Sequence, residues 1–232
     1  MNIKLSPLAP QKLKKISCIA GIRISITHCG LKKNNKQDLV LIKFDKPSKI
    51  YGVFTSSKTP GEPIIWNKSI IKHGKVSAIL INSGNANVFN GREGRESLEK
   101  IVKNLAKNLN IEEQEIYVAS TGIIGVPLDH KKIIKKIPFL VKNLRNDPST
   151  WLKAANAIGT TDTFAKIHNE KSKLKKNLIV NGIAKGSGMI APNMATMLAF
   201  VFTNAVIGKN FENYFKRIVN STFNSITVDG DT

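Results

Sequence analysis

The chain has 232 residues, of which 41% are hydrophobic, and this length is enough for one sizeable core or two small ones. It contains no apolar run of about 18 residues, and residues 1–21 resemble neither a signal peptide nor a transit peptide, so we expect a cytoplasmic protein without a membrane partner. The net charge of +20 comes from 31 Lys and only 5 Arg, which are spread along the chain beside 23 Asn and 30 Ile. This composition is typical of a compositionally biased genome. It predicts no specific nucleic-acid partner, only weak attraction to polyanions.

The first half of the chain alternates between strand-like and helix-like segments. Hydrophobic runs predict strands over residues 38–45, 50–55 and 75–81, the last of which leads into a polar loop. Residues 95–109 predict a helix because five apolar side chains share one face: Leu98, Ile101, Val102, Leu105 and Leu109. A short strand is predicted over residues 116–120.

The second half continues the alternation. Asp129 is a candidate N-cap of a helix that Pro138 should break or kink, and Ser149 or Thr150 can begin a shorter helix through Ala157. Residues 168–176 are predicted to be a loop or hairpin tip between strands, and further strands are predicted over 178–180 and 197–203. Asn210 is a candidate cap for a helix whose inward face would hold Phe211, Phe215, Ile218, Val219 and Phe223. The mixture favours an α/β or α+β fold with mixed sheets.

The two cysteines, Cys18 and Cys29, do not have the spacing of a CxxC motif. We expect two reduced and partly buried thiols. His28 stands next to Cys29, but two adjacent ligands with no others nearby make a poor metal site, so no metal is predicted.

The most informative motif is NGIAKGSGMIAPNMATMLAF, residues 181–200, in which three glycines surround Lys185 between two predicted strands. It is not a phosphate loop, because the GxxxxGK[ST] pattern is absent and a strand follows where a helix is needed. Two interpretations stay open. One is a plain glycine-rich hairpin connection. In the other, the Thr196 hydroxyl attacks the carbonyl of Ala195, and hydrolysis of the resulting ester frees the Thr196 α-amine to act as a general base.

Three further motifs are each ambiguous. NSGNAN, residues 82–87, is either a turn with Asx-type hydrogen bonds or the polar wall of a small-molecule site. In ASTGIIG, residues 119–125, Thr121 and Gly122 could direct a hydroxyl and an amide N–H to one point, as in an oxyanion hole, or simply end a strand. IGTTDTFAK, residues 158–166, is a threonine-rich turn or a substrate-contacting loop.

The order and content of these motifs, together with TFNSITVDGDT at residues 222–232, resemble the ornithine acetyltransferase (bifunctional glutamate N-acetyltransferase) family. The resemblance runs from about Gly52 to Thr232, and the segment KGSGMIAPNMATML is its most specific part. It implies a four-layer αββα fold. It also implies self-cleavage between Ala195 and Thr196, so that residues 1–195 form the N-terminal or α-chain domain and residues 196–232 the start of a β-chain.

The resemblance also assigns roles to residues. Thr196 is the nucleophile, Thr121 and Gly122 form the oxyanion hole, and Thr161 and Lys185 contact the substrate together with Thr196. The implied reaction transfers an acetyl group from N2-acetyl-L-ornithine to L-glutamate in arginine biosynthesis, through an acetyl-threonine intermediate. No cofactor is implied, although some members of the family also use acetyl-CoA as a substrate. The implied partners are the small-molecule substrates and the protein's own α and β fragments, assembled as a hetero-oligomer.

The family pattern continues well beyond the VDGDT segment at which this sequence stops. Smaller departures from the pattern, such as Phe89, Gly159 and Ala165, are mostly changes of packing. Two interpretations therefore stay open: a glutamate N-acetyltransferase whose remaining part lies outside this sequence, or an inactive truncated remnant of that enzyme.

Overall fold

The computed structural model describes residues 5–12, 16–33, 35–172, 177–191, 197–208 and 210–231. These residues form seven strands: β1 (Ile22–Thr27), β2 (Leu39–Lys49), β3 (Lys75–Asn85), β4 (Ile116–Ile123), β5 (Lys166–Lys171), β6 (Ile179–Lys185) and β7 (Leu198–Thr203). They also form five α-helices: α1 (Glu62–Ile70), α2 (Gly91–Leu109), α3 (His130–Lys142), α4 (Pro148–Ile158) and α5 (Phe211–Ser221).

The first sheet has the order β1-β2-β3-β4, with the first three strands antiparallel and β4 parallel to β3. Its middle strands are buried on both faces. The run from Leu39 to Ile42 is 0% exposed, as its uninterrupted apolar sequence would require. Each face of this sheet must therefore be covered by another layer.

One face of the first sheet is covered by α2 and α3. Leu80 and Val118 of the sheet pack there against Leu105 of α2 and Ile137 of α3. The apolar residues of both helices recur every three or four positions, which gathers them on one face. The predicted inward face of α2 is confirmed, since Leu98, Ile101, Val102 and Leu105 are buried and Leu109 is partly buried.

The other face of the first sheet is covered by α4 and by the second sheet, which is antiparallel with the order β5-β6-β7. Trp151 of α4 is 1% exposed, and its ring meets the ring of Phe202 edge-on with the centroids 5.2 Å apart. Ile183 of β6 joins the same cluster. This apolar core, shared by α4 and both sheets, sets the position of the second sheet relative to the first.

The described residues thus confirm a mixed α/β fold with mixed sheets, in the layer order helix, sheet, sheet. The fourth layer of the αββα arrangement stays a prediction. No helix in the described part of the chain is both long and apolar enough to cross a membrane.

Several predicted elements are confirmed with shifted ends. Asp129 caps α3, because its carboxylate accepts a hydrogen bond from the Lys132 amide at 3.4 Å. The predicted cap of α4 is wrong: Asp147 accepts the Ser149 amide at 2.7 Å, and Pro148 occupies the first turn, where its missing N–H has no cost. The loop predicted over 168–176 is also partly wrong, since β5 runs to Lys171 and pairs with β6.

Three other expectations fail for physical reasons. Residues 50–55 form no strand, because the pairing of β2 with β3 ends at Lys49 and Lys75 and is followed only by the hydrogen bond from the Ile50 amide to the Gly74 carbonyl. Helix α3 continues through Pro138, whose exposed position leaves the unpaired carbonyl of the preceding turn open to water. The predicted inward face of α5 fails only at Ile218, which is 52% exposed, since Val219 is buried and Phe211, Phe215 and Phe223 are partly buried.

We predict that Trp151→Ala lowers the free energy of unfolding by about 3–5 kcal/mol, because it opens a cavity between α4 and the two sheets. Urea unfolding followed by circular dichroism measures this. The matched control is Phe139→Ala, which removes an aromatic ring that is 49% exposed on α3. Equal effects of the two substitutions would show that the Trp151 contact does not hold the sheets together.

Candidate active site

The predicted oxyanion-hole pair lies at the carboxyl end of β4. Side chains alternate between the faces of this strand, and Tyr117 and Ala119 belong to the core shared with α4 and the second sheet. Thr121 therefore faces the same side, where it is 7% exposed. Its hydroxyl makes no hydrogen bond to another described residue. The side chain thus points toward the part of the molecule that holds Lys185.

Side chains of α1 cover the outer edge of β4, the strand that carries Gly122. At the outer edge of β4, the Ile116 carbonyl accepts a hydrogen bond from Trp66 at 2.9 Å, and the Val118 amide and carbonyl pair with the side chain of Asn67 at 3.1 and 2.8 Å. The pairing of β4 with β3 becomes irregular at Gly84 and Asn85, beside Gly122, so the strand leaves its regular geometry at the predicted oxyanion-hole pair. The oxyanion role of both residues stays a prediction.

Gly122 has no room for a side chain. Its φ of +135° is disfavoured for other residues, and a Cβ placed there would lie 2.3 Å from the carbonyl carbon of Gly84 on β3. Gly84 is equally enclosed, since its Cβ would lie 2.7 Å from the carbonyl oxygen of Leu31. Two glycines thus let β4, β3 and the loop at Leu31 come together at one point.

The NSGNAN asparagines support this end of the sheet and are not free for a ligand. Asn82 donates to the Asn85 carbonyl at 2.9 Å and accepts from Ser120 at 2.6 Å. Asn85 donates to the Val126 carbonyl at 2.8 Å, and Asn87 donates to the Gly94 carbonyl at 3.1 Å. The turn interpretation holds only in part: the Asn87 amide donates to the Asn85 side chain at 2.8 Å, as in an Asx turn, but Asn82 and Asn85 belong to strand β3.

In the TTDT loop after α4, Thr161 is exposed, whereas the carboxylate of Asp162 is 5% exposed. One oxygen of that carboxylate accepts from Lys166 at 2.5 Å and from the Gly186 amide at 2.8 Å, and the other accepts from the Thr160 amide at 3.2 Å. Burial alone would raise the pKa of Asp162, but these hydrogen bonds outweigh it and hold the pKa below its ordinary value. Asp162 thereby fastens the substrate loop predicted around Thr161 to the glycine-rich segment.

Lys185 ends β6 and is 3% exposed, which is rare for a lysine. Burial lowers the pKa of its ammonium, while the negative charge of Asp162 acts in the opposite direction. The ammonium makes no ion pair or hydrogen bond with any described residue. Burying an unpaired cation is costly, so an ammonium with no partner among the described residues fits a site that receives an anion.

Lys32 is a partly buried residue of this region that the sequence did not single out. Its ammonium donates to the carbonyls of Ala157 and Gly159 at the end of α4, at 2.7 and 2.6 Å. Burial lowers the pKa of Lys32 to about 8, against the opposing charges of Asp38 and Asp162. The positive charge of Lys185 also lowers the pKa of Lys32, so the two ammonium groups are close enough to interact electrostatically.

Asp38 holds the loop that carries Lys32. Its carboxylate is fully buried and accepts hydrogen bonds from four successive backbone amides, those of residues 29–32, at 2.6 to 3.1 Å. The DLVLI segment, which begins with Asp38, does not predict this role. The four amides lie close to Asp38 in the sequence, but only the folded loop shows that they bind its carboxylate. The remaining predicted site residues, Ala195 and Thr196, lie outside the described residues.

We predict that Gly122→Ala strongly disrupts the site, because its Cβ would force β4 away from the backbone of β3. Gly182→Ala is the matched control, since that strand glycine has nothing within 4 Å of its Cβ position. Thermal unfolding should show a loss of several degrees for Gly122→Ala and little change for the control. A Gly122→Ala protein as stable as the wild type would mean that the two strands can separate at no cost.

Comparison with known proteins agrees with this geometry. The sequence pattern of the ArgJ family matches residues 23–232. Among curated relatives, the arginine biosynthesis bifunctional protein ArgJ is 41% identical in Bartonella quintana and 44% identical in Bradyrhizobium diazoefficiens, each over 234 aligned residues and the whole of this chain. The chain spans 56% of the length of both relatives.

Two solved structures have the same fold. One is ornithine acetyltransferase complexed with ornithine from Mycobacterium tuberculosis, with a TM-score of 0.65 and 25% identity over 77% of this chain and 93% of that chain. The other is the arginine biosynthesis bifunctional protein ArgJ from Bacillus halodurans, with a TM-score of 0.64 and 27% identity over 77% of this chain and 92% of that chain. The match over nearly the whole sequence and the shared fold establish that this chain belongs to the ArgJ family.

Proposed function

We propose that this chain is part of a glutamate N-acetyltransferase that moves an acetyl group from N2-acetyl-L-ornithine to L-glutamate in arginine biosynthesis. The observation that carries the proposal is Lys185, a residue that is 3% exposed and whose ammonium has no partner among the described residues. It lies close enough to Lys32 to affect its pKa, and it precedes the segment that leads to Thr196. Both proposed substrates carry a carboxylate that could pair with it. The ornithine bound in the similar structure from Mycobacterium tuberculosis supports this substrate class.

Self-cleavage between Ala195 and Thr196 would prepare the nucleophile. The Thr196 hydroxyl attacks the Ala195 carbonyl, the peptide C–N bond breaks to give an ester and a free α-amine, and water hydrolyses the ester to leave the Ala195 carboxylate. The lengths of the solved chains support such a cut. This chain covers 93% and 92% of the two solved chains but only 56% of the length of the curated relatives. The solved chains are therefore much shorter than those relatives, as expected for fragments of a cut protein.

Acetyl transfer would follow in two steps at Thr196. Its α-amine takes the hydroxyl proton while the oxygen attacks the acetyl carbonyl, and then returns the proton to the departing ornithine amine. The amine of glutamate attacks the acetyl ester in the second step and frees the hydroxyl. Thr121 and Gly122 would stabilise the oxyanion in both steps, and removal of one such donor typically costs about 10²- to 10³-fold in rate. No cofactor is needed, and acetyl-CoA would be an alternative acetyl donor.

The proposed fragments, residues 1–195 and the segment that begins at Thr196, would stay together after the cut. Strands β6 and β7 lie on opposite sides of the bond and pair from Lys185↔Leu198 to Val180↔Thr203. The hydrogen bonds of this ladder do not depend on the peptide bond between Ala195 and Thr196. The product would therefore be an assembly of its own fragments, in the cytoplasm, where the two free cysteines would stay reduced.

We predict that intact mass spectrometry of the purified 232-residue protein shows two fragments, one ending at Ala195 and one beginning at Thr196. Thr196→Ala should give a single uncut species of 25.5 kDa, because no hydroxyl remains to attack. Thr59→Ala, which changes an exposed loop threonine, is the control and should be cut like the wild type. A wild-type protein that stays whole would contradict self-cleavage by this chain.

We also predict that Lys185→Met, introduced into the complete protein, raises KM for glutamate and N2-acetyl-L-ornithine by roughly 10- to 100-fold, the range expected for a lost hydrogen bond to a charged group. The methionine keeps most of the length of the side chain and removes the ammonium with its charge and its hydrogen-bond donors. Lys171→Met, at an exposed position on β5, is the control. Unchanged KM values in steady-state kinetics would rule out Lys185 as the carboxylate partner.

A further inference from the structure

A short segment on the far side of the predicted cleavage bond packs against the glycine-rich segment that precedes it. The Asp229 carboxylate accepts a hydrogen bond from the Met189 amide at 2.6 Å and another from the Ile190 amide at 3.0 Å. In the reverse direction, the Val228 amide and the Thr227 hydroxyl donate to the Ile190 carbonyl at 2.9 and 3.3 Å. Four hydrogen bonds thus join residues 227–229 to residues 189–190, and we call this contact the loop clamp.

The clamp holds a strained backbone. Met189 has a φ of +56°, a left-handed conformation that is unfavourable for a residue with a side chain. The conformation aims two successive amides at one point, which forms a concave site for an anion. The Asp229 carboxylate fills that site, and the two amide hydrogen bonds lower its pKa, so it is ionised at neutral pH. Asp229 therefore offsets the cost of the left-handed turn.

The clamped turn is one of two anchors of the segment that follows β6. The Gly186 amide is already bound by Asp162 at 2.8 Å, so the segment is held first at residue 186 and then at residues 189–190. A bond that reacts with its own neighbouring hydroxyl needs a restricted approach, and anchoring the chain close to the reacting atoms provides it. The second anchor comes from the part of the chain that would become the other fragment.

We propose that Asp229 is a positioning residue for self-cleavage, which holds the turn at Met189 in the conformation that presents the Ala195–Thr196 bond. This inference rests on the self-cleavage proposed above. The contacts that carry this proposal are those of Asp229 with the amides of Met189 and Ile190, so its effect on cleavage would pass through that turn.

The test compares Asp229→Ala and Asp229→Asn with Asp231→Asn in the 232-residue protein. Alanine removes both acceptor oxygens, and asparagine keeps one oxygen but loses the charge. Asp231 is the matched control, because its hydrogen bond to Asp229 uses only its backbone amide. Amide hydrogen exchange at residues 189 and 190 measures the clamp, and intact mass spectra over time measure the cleavage rate. Circular dichroism checks that each variant is folded.

We expect Asp229→Ala to speed exchange of both amides and to slow cleavage, each by roughly tenfold, as for a lost hydrogen bond to a charged group, with a smaller effect for Asp229→Asn and none for Asp231→Asn. Unchanged exchange would refute the clamp itself. Faster exchange with an unchanged cleavage rate would refute its role in cleavage. If the wild type stays uncut, self-cleavage by this chain fails and the role of Asp229 in it fails too, whereas the exchange rates still decide whether the clamp exists.

Discussion

The close approach of two backbones at Gly84 and Gly122 is the constraint on which the candidate site depends. No side chain can lie between β3 and β4 there, and the carbonyl of Leu31 packs onto Gly84 from outside the strands. The loop that carries Leu31 also carries Lys32, whose ammonium binds the end of α4. A bulkier residue at either glycine would displace the strand, the loop and the helix end together, because each contact leaves no free space.

Buried charged side chains link the contact between Gly84 and Gly122 to the second sheet. The Asp38 carboxylate accepts hydrogen bonds from four backbone amides, and Asp162 accepts from both Lys166 and the Gly186 amide, so each buried carboxylate has hydrogen-bond partners within the protein. Lys185 differs from them because its ammonium has no such partner among the described residues. An enzyme that binds amino-acid carboxylates can use that difference: the ligand would complete a charge pair which the folded chain leaves half formed. The many exposed lysines contribute only a screened, long-range attraction.

The predicted cleavage bond lies between two strands that stay paired, and the segment before it is tied to Asp229 beyond it. A chain cut at this place would lose one covalent bond but none of these contacts. That arrangement explains how self-cleavage can be compatible with a stable product. It also explains why a strained turn at Met189 can persist, since the hydrogen bonds of Asp229 offset its cost.

Local patterns in the sequence were sufficient for the elements whose neighbours are close in the chain. The apolar spacing of residues 98–105 predicted the buried face of α2, and the order of the glycine-rich motifs predicted the family. The sequence did not lead us to predict β1, despite its alternating IRISIT pattern. Nor did it predict α1, whose N-cap residue, Gly61, has no side chain to cap the helix.

The tertiary structure alone decided what each polar group does. The NSGNAN asparagines could have lined a ligand site, but their partners, such as the Val126 carbonyl, come from a loop about forty residues away. In the sequence, Lys32 is one lysine of a charged loop. Only in the folded protein does the end of α4 partly bury it and supply the Ala157 carbonyl as an acceptor. The resemblance of the motifs therefore indicated the family, and the apolar patterns indicated the fold class and most of the elements. Which charges are paired and which is left for a ligand depends on contacts between distant segments, and no local pattern of residues encodes them.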